Sequence, residues 1–319
     1  MGKARPYLLE RSIGQKIEWE KYRVYWYEEL FRDELKRQCR VFYHGPGYCK
    51  NYQSKLSIPE VIENAGHSFD IILTSCTYET FKGLNNVNHI PKVHIATDLY
   101  DGGPRAKKSI KHCHKHDYNL LFGFSSIVTD FAKYHGCAKN YDILPFSVDI
   151  NVYQKWNIPK LFDIMASFSA SRKSKFYPFR YIMKQRLKNM DLKIFSSRSY
   201  YIENVWKINQ SRICLNYLPQ GFFNPRYFEV LACGGFLLTD MPRYDRDIVG
   251  LVPGKHFAVF DGALNFKKRV IDWLNHPKER RRIARHGMRF VRRHHSTKVR
   301  VRQFIDKIYT YLERSEHTI

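Results

Sequence analysis

Two α/β units of similar size are what the sequence predicts, on three observations. Short runs rich in β-branched and aromatic residues alternate with helix-like stretches along most of the chain, the pattern of βαβ units around a parallel sheet. The alternation breaks once, at residues 145–159 (PFSVDINVYQKWNIP), and then restarts. The length of 319 residues suits about two domains of roughly 150 residues each. Together these predict two Rossmann-like domains facing across a cleft. Residues 1–148 form the first, 149–300 the second, and 301–319 a C-terminal helix placed to pack back on the first.

In the first half the expected strands are 39–44 (CRVFYH), 70–75 (DIILTS), 92–97 (KVHIAT), 118–122 (YNLLF) and 141–144 (YDIL). Helix-like pieces lie around and between them at 18–37, 58–65, 105–114 and 126–134. After the break the strands are 162–168, 192–195, 212–216, 235–239 and 257–260, and the helices 176–188, 200–210, 225–233 and 264–275. From Lys278 onward the chain reads as helical to its end. Neither a tandem repeat nor a low-complexity tract interrupts this order.

Composition narrows the class. Hydrophobic residues make up 44% and charged residues 26%, which excludes a disordered or fibrous chain. No apolar run approaches the roughly 20 residues that span a bilayer, and the first residues, MGKARPYLLERSIGQK, lack the apolar core of a signal peptide. Seven cysteines, an odd number without a Cys-x-x-Cys pair, fit free thiols in a reducing compartment better than disulfides or structural zinc. A cytoplasmic protein is therefore expected, peripheral to a membrane or nucleic acid if associated with either. The formal net charge is +24. A field of that sign attracts polyanions, although it also serves solubility alone.

The most telling stretch is 220–239 (QGFFNPRYFEVLACGGFLLT). An apolar strand leads into a glycine-containing loop. Pro225 stands where a helix's first turn begins, and its missing N–H costs nothing there. The helix then stops at Gly234–Gly235 before another apolar strand. A helix N-terminus at a strand's carboxyl end presents free N–H groups and the positive end of the helix dipole to an anion. Glu229, about one turn in, is placed to accept hydrogen bonds from a sugar diol. Its alternative is an ordinary acid in the helix's early turns.

The run Asn-Pro-Arg-Tyr-Phe-Glu-Val-Leu-Ala-Cys-Gly-Gly-Phe-Leu-Leu-Thr, from Asn224 to Thr239, resembles the donor-binding motif of GT-B glycosyltransferases. It is closest to the CgeB-like, or spore-maturation-protein, group within the glycosyl transferases group 1 superfamily. Weaker resemblances follow in order: HGPGY at 44–48, PKVHIATD at 91–98, LPFSVD at 144–149, IARHG at 283–287 and the pair His295 and Arg300. The resemblance spans about residues 40–305 and implies the GT-B fold and metal-independent sugar transfer from a nucleotide-sugar, with retention of anomeric configuration. It implies that Glu229 holds the ribose, with Asn224 and Arg226 beside the sugar or diphosphate. One departure stands out. Many relatives carry Glu-x7-Glu, and the position of the first acid is here Gly221.

Residues 169–180 (SASRKSKFYPFR) form a second phosphate feature. The superfamily sets basic residues of this loop against the donor diphosphate, which selects Arg172 and Arg180. Fixed cations stabilise a leaving diphosphate's charge without a metal. The alternative is a solvated basic loop. Gly45 and Gly47 join the donor-binding set, because a backbone without Cβ can approach a ligand closely; an ordinary turn would use the same residues. Asp98 closes an apolar strand and is the candidate catalytic base for the acceptor hydroxyl, or else a helix cap. The Asp-x-Asp of Asp245 and Asp247 reads as chance spacing, and His112, Cys113, His114 and His116 as a solvated helix or as histidines at a helix's C-terminal end, so no metal is assigned. No cofactor is expected besides the nucleotide-sugar as co-substrate.

The acceptor is addressed by charge. Between Lys267 and Arg302 fourteen basic residues face two acids, Asp272 and Glu279. On a helix, Arg281, Arg285, Arg289 and Arg292 make a stripe, and an ordinary solvated face would mix signs. The stripe points to a polyanion. DNA bearing hydroxylated bases is the leading specific acceptor, with the phosphates giving salt-dependent binding. The alternatives are a membrane-peripheral enzyme on anionic lipid acting on a lipid-linked or surface glycan, and a non-catalytic nucleic-acid-binding protein on a transferase scaffold.

Overall fold

A computed structural model describes residues 27–42, 56–74, 81–96, 99, 103–168, 178–197, 199, 201–218 and 220–316. The chain divides into two compact units, Met1–Leu144 and Pro145–Ile319.

In the first unit the described elements are helix α1 (Tyr27–Gln38), α2 (Ile58–Ala65), strand β1 (Ile72–Thr74), β2 (Lys92–Ala96), α3 (Pro104–His116), β3 (Tyr118–Gly123), α4 (Ser126–Tyr134) and β4 (Ala138–Ile143). The four strands are parallel in the order β1-β2-β3-β4. Helix α2 shows why local sequence sets its bounds. Glu60 accepts a hydrogen bond from the Ser57 N–H at 2.6 Å, Pro59 sits in the first turn, and Gly66 ends the helix at φ 68°. The expected strand at 39–44 differs: residues 39–42 are not in a strand, and 43 and 44 lie outside the described residues.

The second unit holds β5 (Phe162–Met165), α5 (Pro178–Lys188), β6 (Ile194–Phe195), α6 (Tyr201–Gln210), β7 (Ser211–Leu215), α7 (Pro225–Ala232), β8 (Leu237–Thr239), α8 (Arg246–Val249), β9 (Ala258–Val259), α9 (Gly262–Asn275), α10 (Pro277–His294) and α11 (Thr297–Glu316). Its five strands are parallel in the order β6-β5-β7-β8-β9. The sheet reverses direction of growth between β5 and β7, the position where ligands of open α/β sheets bind at the strands' carboxyl ends.

Core packing fixes α7 and α10. Tyr227, Phe228, Val230, Leu231 and Ala232 of α7 are all buried. Gly287 of α10 lies so close to the neighbouring chain that a Cβ there would stand 2.4 Å from the His256 carbonyl oxygen, so only glycine permits this approach. The stretch from Lys278 is helical over its described residues, as expected, in two helices that part at residues 295–296. There the buried His295 ring bonds the Val249 carbonyl at 2.8 Å, and its own carbonyl accepts from the Val148 N–H at 3.0 Å. The stretch 145–159 is stitched to the same unit. Trp156 N–H donates to Asn209 Oδ1 at 2.8 Å, and Asn209 Nδ2 donates to the Gln154 carbonyl at 2.9 Å.

Candidate functional site

Helix α7 starts at the N-cap Asn224, whose extended backbone (φ −91°, ψ 168°) turns the chain into the helix with Pro225 as first residue. The Asn224 side chain does not cap its own helix; its amide faces that of Asn216 at the end of β7, with contacts of 3.4 Å in both directions. Leu218 N–H donates to Asp240 Oδ1 at 2.9 Å, tying the loop before α7 to the end of β8. Burial pushes the Asp240 carboxyl above the ordinary carboxylate range. Gly221, the position that the resemblance assigns to a first acid, has φ 81°, and a Cβ would meet Arg243 Nε at 2.8 Å. A glutamate there would be strained by the left-handed backbone and would need the Arg243 side chain to shift.

Glu229 lies half-buried on α7 with both carboxylate oxygens engaged. Tyr153 O–H donates to Oε1 at 3.2 Å, and Asn204 Nδ2 donates to Oε2 at 3.1 Å. Burial first, and then the Glu229 charge, push the Tyr153 phenol well above its usual range, so it stays protonated and donates. Asn204 is buried on α6 and its Oδ1 accepts from Ser199 Oγ at 3.2 Å and from Arg226 Nη1 at 3.4 Å. Ser199 in turn meets Ser167, just beyond β5, at 3.0 Å between hydroxyls. Each Glu229 oxygen has one donor and spare acceptor capacity, since a carboxylate offers about four lone-pair directions. The arrangement can accept two further hydroxyl hydrogens, as from a vicinal diol.

The other expected residues fall as follows. Arg226 stands beside Glu229's partner Asn204, and Asn224 opens the same helix. Arg180 is buried, with Nε and Nη2 donating to the Tyr217 carbonyl at 2.9 and 2.7 Å and its guanidinium 5.6 Å from the Phe168 ring centre. These bonds brace the loop after β7. Arg172, Gly45, Gly47 and Asp98 lie outside the described residues. On α10, Arg281, Arg285 and Arg289 are exposed and Arg292 half-buried. The stripe is thinner than the sequence count. Arg280 is buried and donates to the Trp273 and Leu274 carbonyls that end α9, Arg300 is buried against His295, and Arg282 pairs with Glu279.

The histidines stand at the C-terminal end of α3, as one expectation had it, but the other expectation, a solvated helix, is corrected. His112 and His116 are buried rather than solvated, packed with His94 and Tyr118 between α3 and the sheet. His114 alone is exposed, bonded to the His135 carbonyl. Asp245 caps the four-residue α8 in a left-handed conformation. Among the described residues no three His, Cys, Asp or Glu converge as metal ligands, and none of their helices is long and apolar enough to cross a membrane.

Tyr153 and Asn204 were not singled out from sequence. Tyr153 hides in the stretch that reads as a plain connection. Asn204 carried a usable signal, a polar residue beside Val205 and one turn before Ile208 on the apolar face of α6.

Residues 180–306 match a family model described as glycosyl transferase-like. No curated protein matches the sequence. Solved structures with similar folds include a sucrose-phosphate synthase from Thermosynechococcus elongatus, at 12% identity and TM-score 0.58 over 91% of this chain and 93% of that one. The Anabaena protein HepE in complex with UDP and glucose aligns at 11% identity and TM-score 0.58, over 79% of this chain and 80% of that one. A glycosyltransferase from Rickettsia africae aligns at 13% identity and TM-score 0.55, over 82% and 84%. With two parallel-sheet units and these neighbours, the chain has the GT-B fold of two Rossmann-like domains, and its second unit carries a glycosyl transferase-like sequence.

Proposed function

We propose that this protein is a glycosyltransferase that moves a sugar from a nucleotide-sugar to a hydroxyl acceptor. The observation that carries the reading is the Glu229 carboxylate, held on α7 by Tyr153 and Asn204 with capacity left for a diol. The ribose hydroxyls of a nucleotide donate to it. In this reading the N–H groups opening α7 and Arg226 neutralise the diphosphate's charge. The bound UDP and glucose of the HepE structure support a uridine nucleotide. Arg172 and Arg180 remain assigned to the donor side, Gly45 and Gly47 to a close backbone approach, and Asp98 to the acceptor hydroxyl as base. Retention of configuration, metal independence and the kinship with CgeB-like proteins belong to the same reading. A thermal-shift panel of UDP-, GDP-, ADP- and dTDP-sugars tests it. One of them should raise the melting temperature by several degrees when present far above its dissociation constant. A flat panel, together with no donor hydrolysis, returns the chain to a binding protein on a transferase scaffold.

The acceptor in this reading is polyanionic, with hydroxymethylated DNA its specific case. Support comes from the exposed Arg281, Arg285 and Arg289, which no described acid pairs with. Reversing all three to glutamate should abolish retention on duplex DNA at about 0.1 M salt while leaving the donor-induced melting shift intact. Equal retention by the triple variant sinks the DNA assignment. Flotation of the wild-type protein with anionic vesicles, without DNA retention, moves the stripe to a membrane surface.

A further inference from the structure

The Glu229 carboxylate is only as useful to a diol as its orientation is fixed. Glutamate has three rotatable side-chain bonds, and a half-buried one facing a ligand gains nothing from the ring of apolar neighbours on α7. The chain's answer lies on a different helix. Asn204 of α6 is nearly fully buried, and its two ends are not interchangeable. Its oxygen faces two donors, Ser199 Oγ at 3.2 Å and Arg226 Nη1 at 3.4 Å, while its nitrogen faces an acceptor, Glu229 Oε2 at 3.1 Å. Flipping the amide would set its nitrogen against the arginine and its oxygen against the carboxylate, so the network admits one orientation.

Ser199 is itself anchored. Its N–H donates to Ser167 Oγ at 3.1 Å and the two hydroxyls lie 3.0 Å apart. The relay therefore runs from the residues beyond β5 and β6, through one amide, to the acid on α7. Tyr153 locks the other carboxylate oxygen from the opposite side of the sequence.

We infer that Asn204 is the positioning residue that aims Glu229 at a nucleotide's ribose and gives the site its preference for a ribose over a 2′-deoxyribose. The inference rests on the donor-site reading of Glu229 and adds to it. With Oε1 and Oε2 each accepting from one donor, the carboxylate is held in one orientation and both oxygens keep acceptor capacity, enough for two adjacent hydroxyls. Remove the pin and the carboxylate can turn to satisfy itself with solvent or Arg226, so a single hydroxyl does as well as two.

Calorimetry on the full chain with UDP, GDP and ADP and their 2′-deoxy counterparts tests this. The wild-type protein should bind one ribonucleotide about tenfold more tightly than its deoxy form. Asn204→Leu should lose about tenfold in ribonucleotide affinity and bring the ribo-to-deoxy ratio to within about twofold, with the melting temperature reporting the fold. Asn204→Asp supplies a readout that a merely structural residue would not move. It sets a second carboxylate beside Glu229, so binding should be weak at pH 8 and recover as the pair takes up a shared proton toward pH 6. If Asn204→Leu does not fold, that pH profile alone decides. Wild-type affinity and ratio in Asn204→Leu, or a flat profile in Asn204→Asp, overturn the inference while a loss of binding in Glu229→Gln keeps the donor site. Undiminished binding in Glu229→Gln, or no binding of any nucleotide by the wild-type protein, overturns the donor site and the inference with it.

Discussion

Glu229→Ala should weaken nucleotide-sugar binding by about a hundredfold, and Glu229→Gln by about tenfold. Each ribose hydroxyl that donates to an ionised carboxylate contributes on the order of 1.5–3 kcal/mol, and alanine removes both bonds. It also leaves the Tyr153 hydroxyl and the Asn204 amide without their acceptor in a buried setting, which adds a cost to stability of about 1–3 kcal/mol. Glutamine keeps the shape and one acceptor oxygen but loses the charge. Titration calorimetry of the two variants against the nucleotide found in the donor panel reads the difference, with thermal melting alongside. Affinities within twofold of wild type in both variants would remove Glu229 from the site.

Acid should unfold the first unit well before it exhausts ordinary carboxylates. His94 is held down to about 3, by burial first and then by the neighbouring His112 and His116, and His116 to about 4 by burial, His112 and Lys115. The rings pack closely: His94 lies 5.4 Å from His112 and is stacked 4.7 Å from Tyr118, and His112 lies edge-on 4.7 Å from His116, centre to centre. His94 Nδ1 meets Thr74 Oγ1 at 2.7 Å, and His112 Nε2 meets Tyr118 Oη at 2.9 Å. In the unfolded chain these side chains titrate near 6.5. Their folded-state values are depressed, so the stability they carry is complete above about pH 6.5 and is lost as pH falls toward 3 and 4. At pH 5 the unfolded chain has bound the protons that the folded one refuses, a cost of about 2 kcal/mol for each of His94 and His116. The melting temperature of the first unit should drop by roughly 10 °C between pH 7 and pH 5. His116 makes no hydrogen bond with either ring nitrogen, so His116→Phe should keep the packing and recover about half of the loss. A melting temperature that is level from pH 7 to pH 5 would contradict the buried cluster.

The fold was largely legible because burial patterns in parallel sheets are written locally. The helices 58–65 and 126–134 match the observed bounds, since Ser57, Glu60 and Gly66 mark one and an apolar face marks the other. The expected strand at 39–44 has the right residue types, yet its described part makes no ladder, because strand pairing depends on a partner that a local run does not name. The C-terminal stretch reads as helical and is, but where it divides into two helices is not legible. Nothing in the helix-forming sequence around His295 announces that its ring and carbonyl are used by Val249 and Val148, more than forty residues away.

The histidines show the same limit. Spacing placed His112 and His116 on one helix face, but the ring that completes their cluster, His94, comes from a strand. Solvation or burial of a helix face is decided by what packs on it, and the charge pattern of α3 pointed outward.

By itself the sequence determined the two parallel α/β units and the place of the acid on α7, because helix caps, glycine stops and apolar runs act within a few residues. It also determined the excess of positive charge near the C-terminus, which is a matter of counting. Only the tertiary structure decided which of those cations remain on the surface, that Gly221 takes a left-handed backbone against Arg243, and that Asn204 and Tyr153 hold the Glu229 carboxylate. The Glu229 contacts join residues 25 and 76 positions apart, and a hydrogen bond's direction exists only once the folded chain has brought its donor and acceptor together.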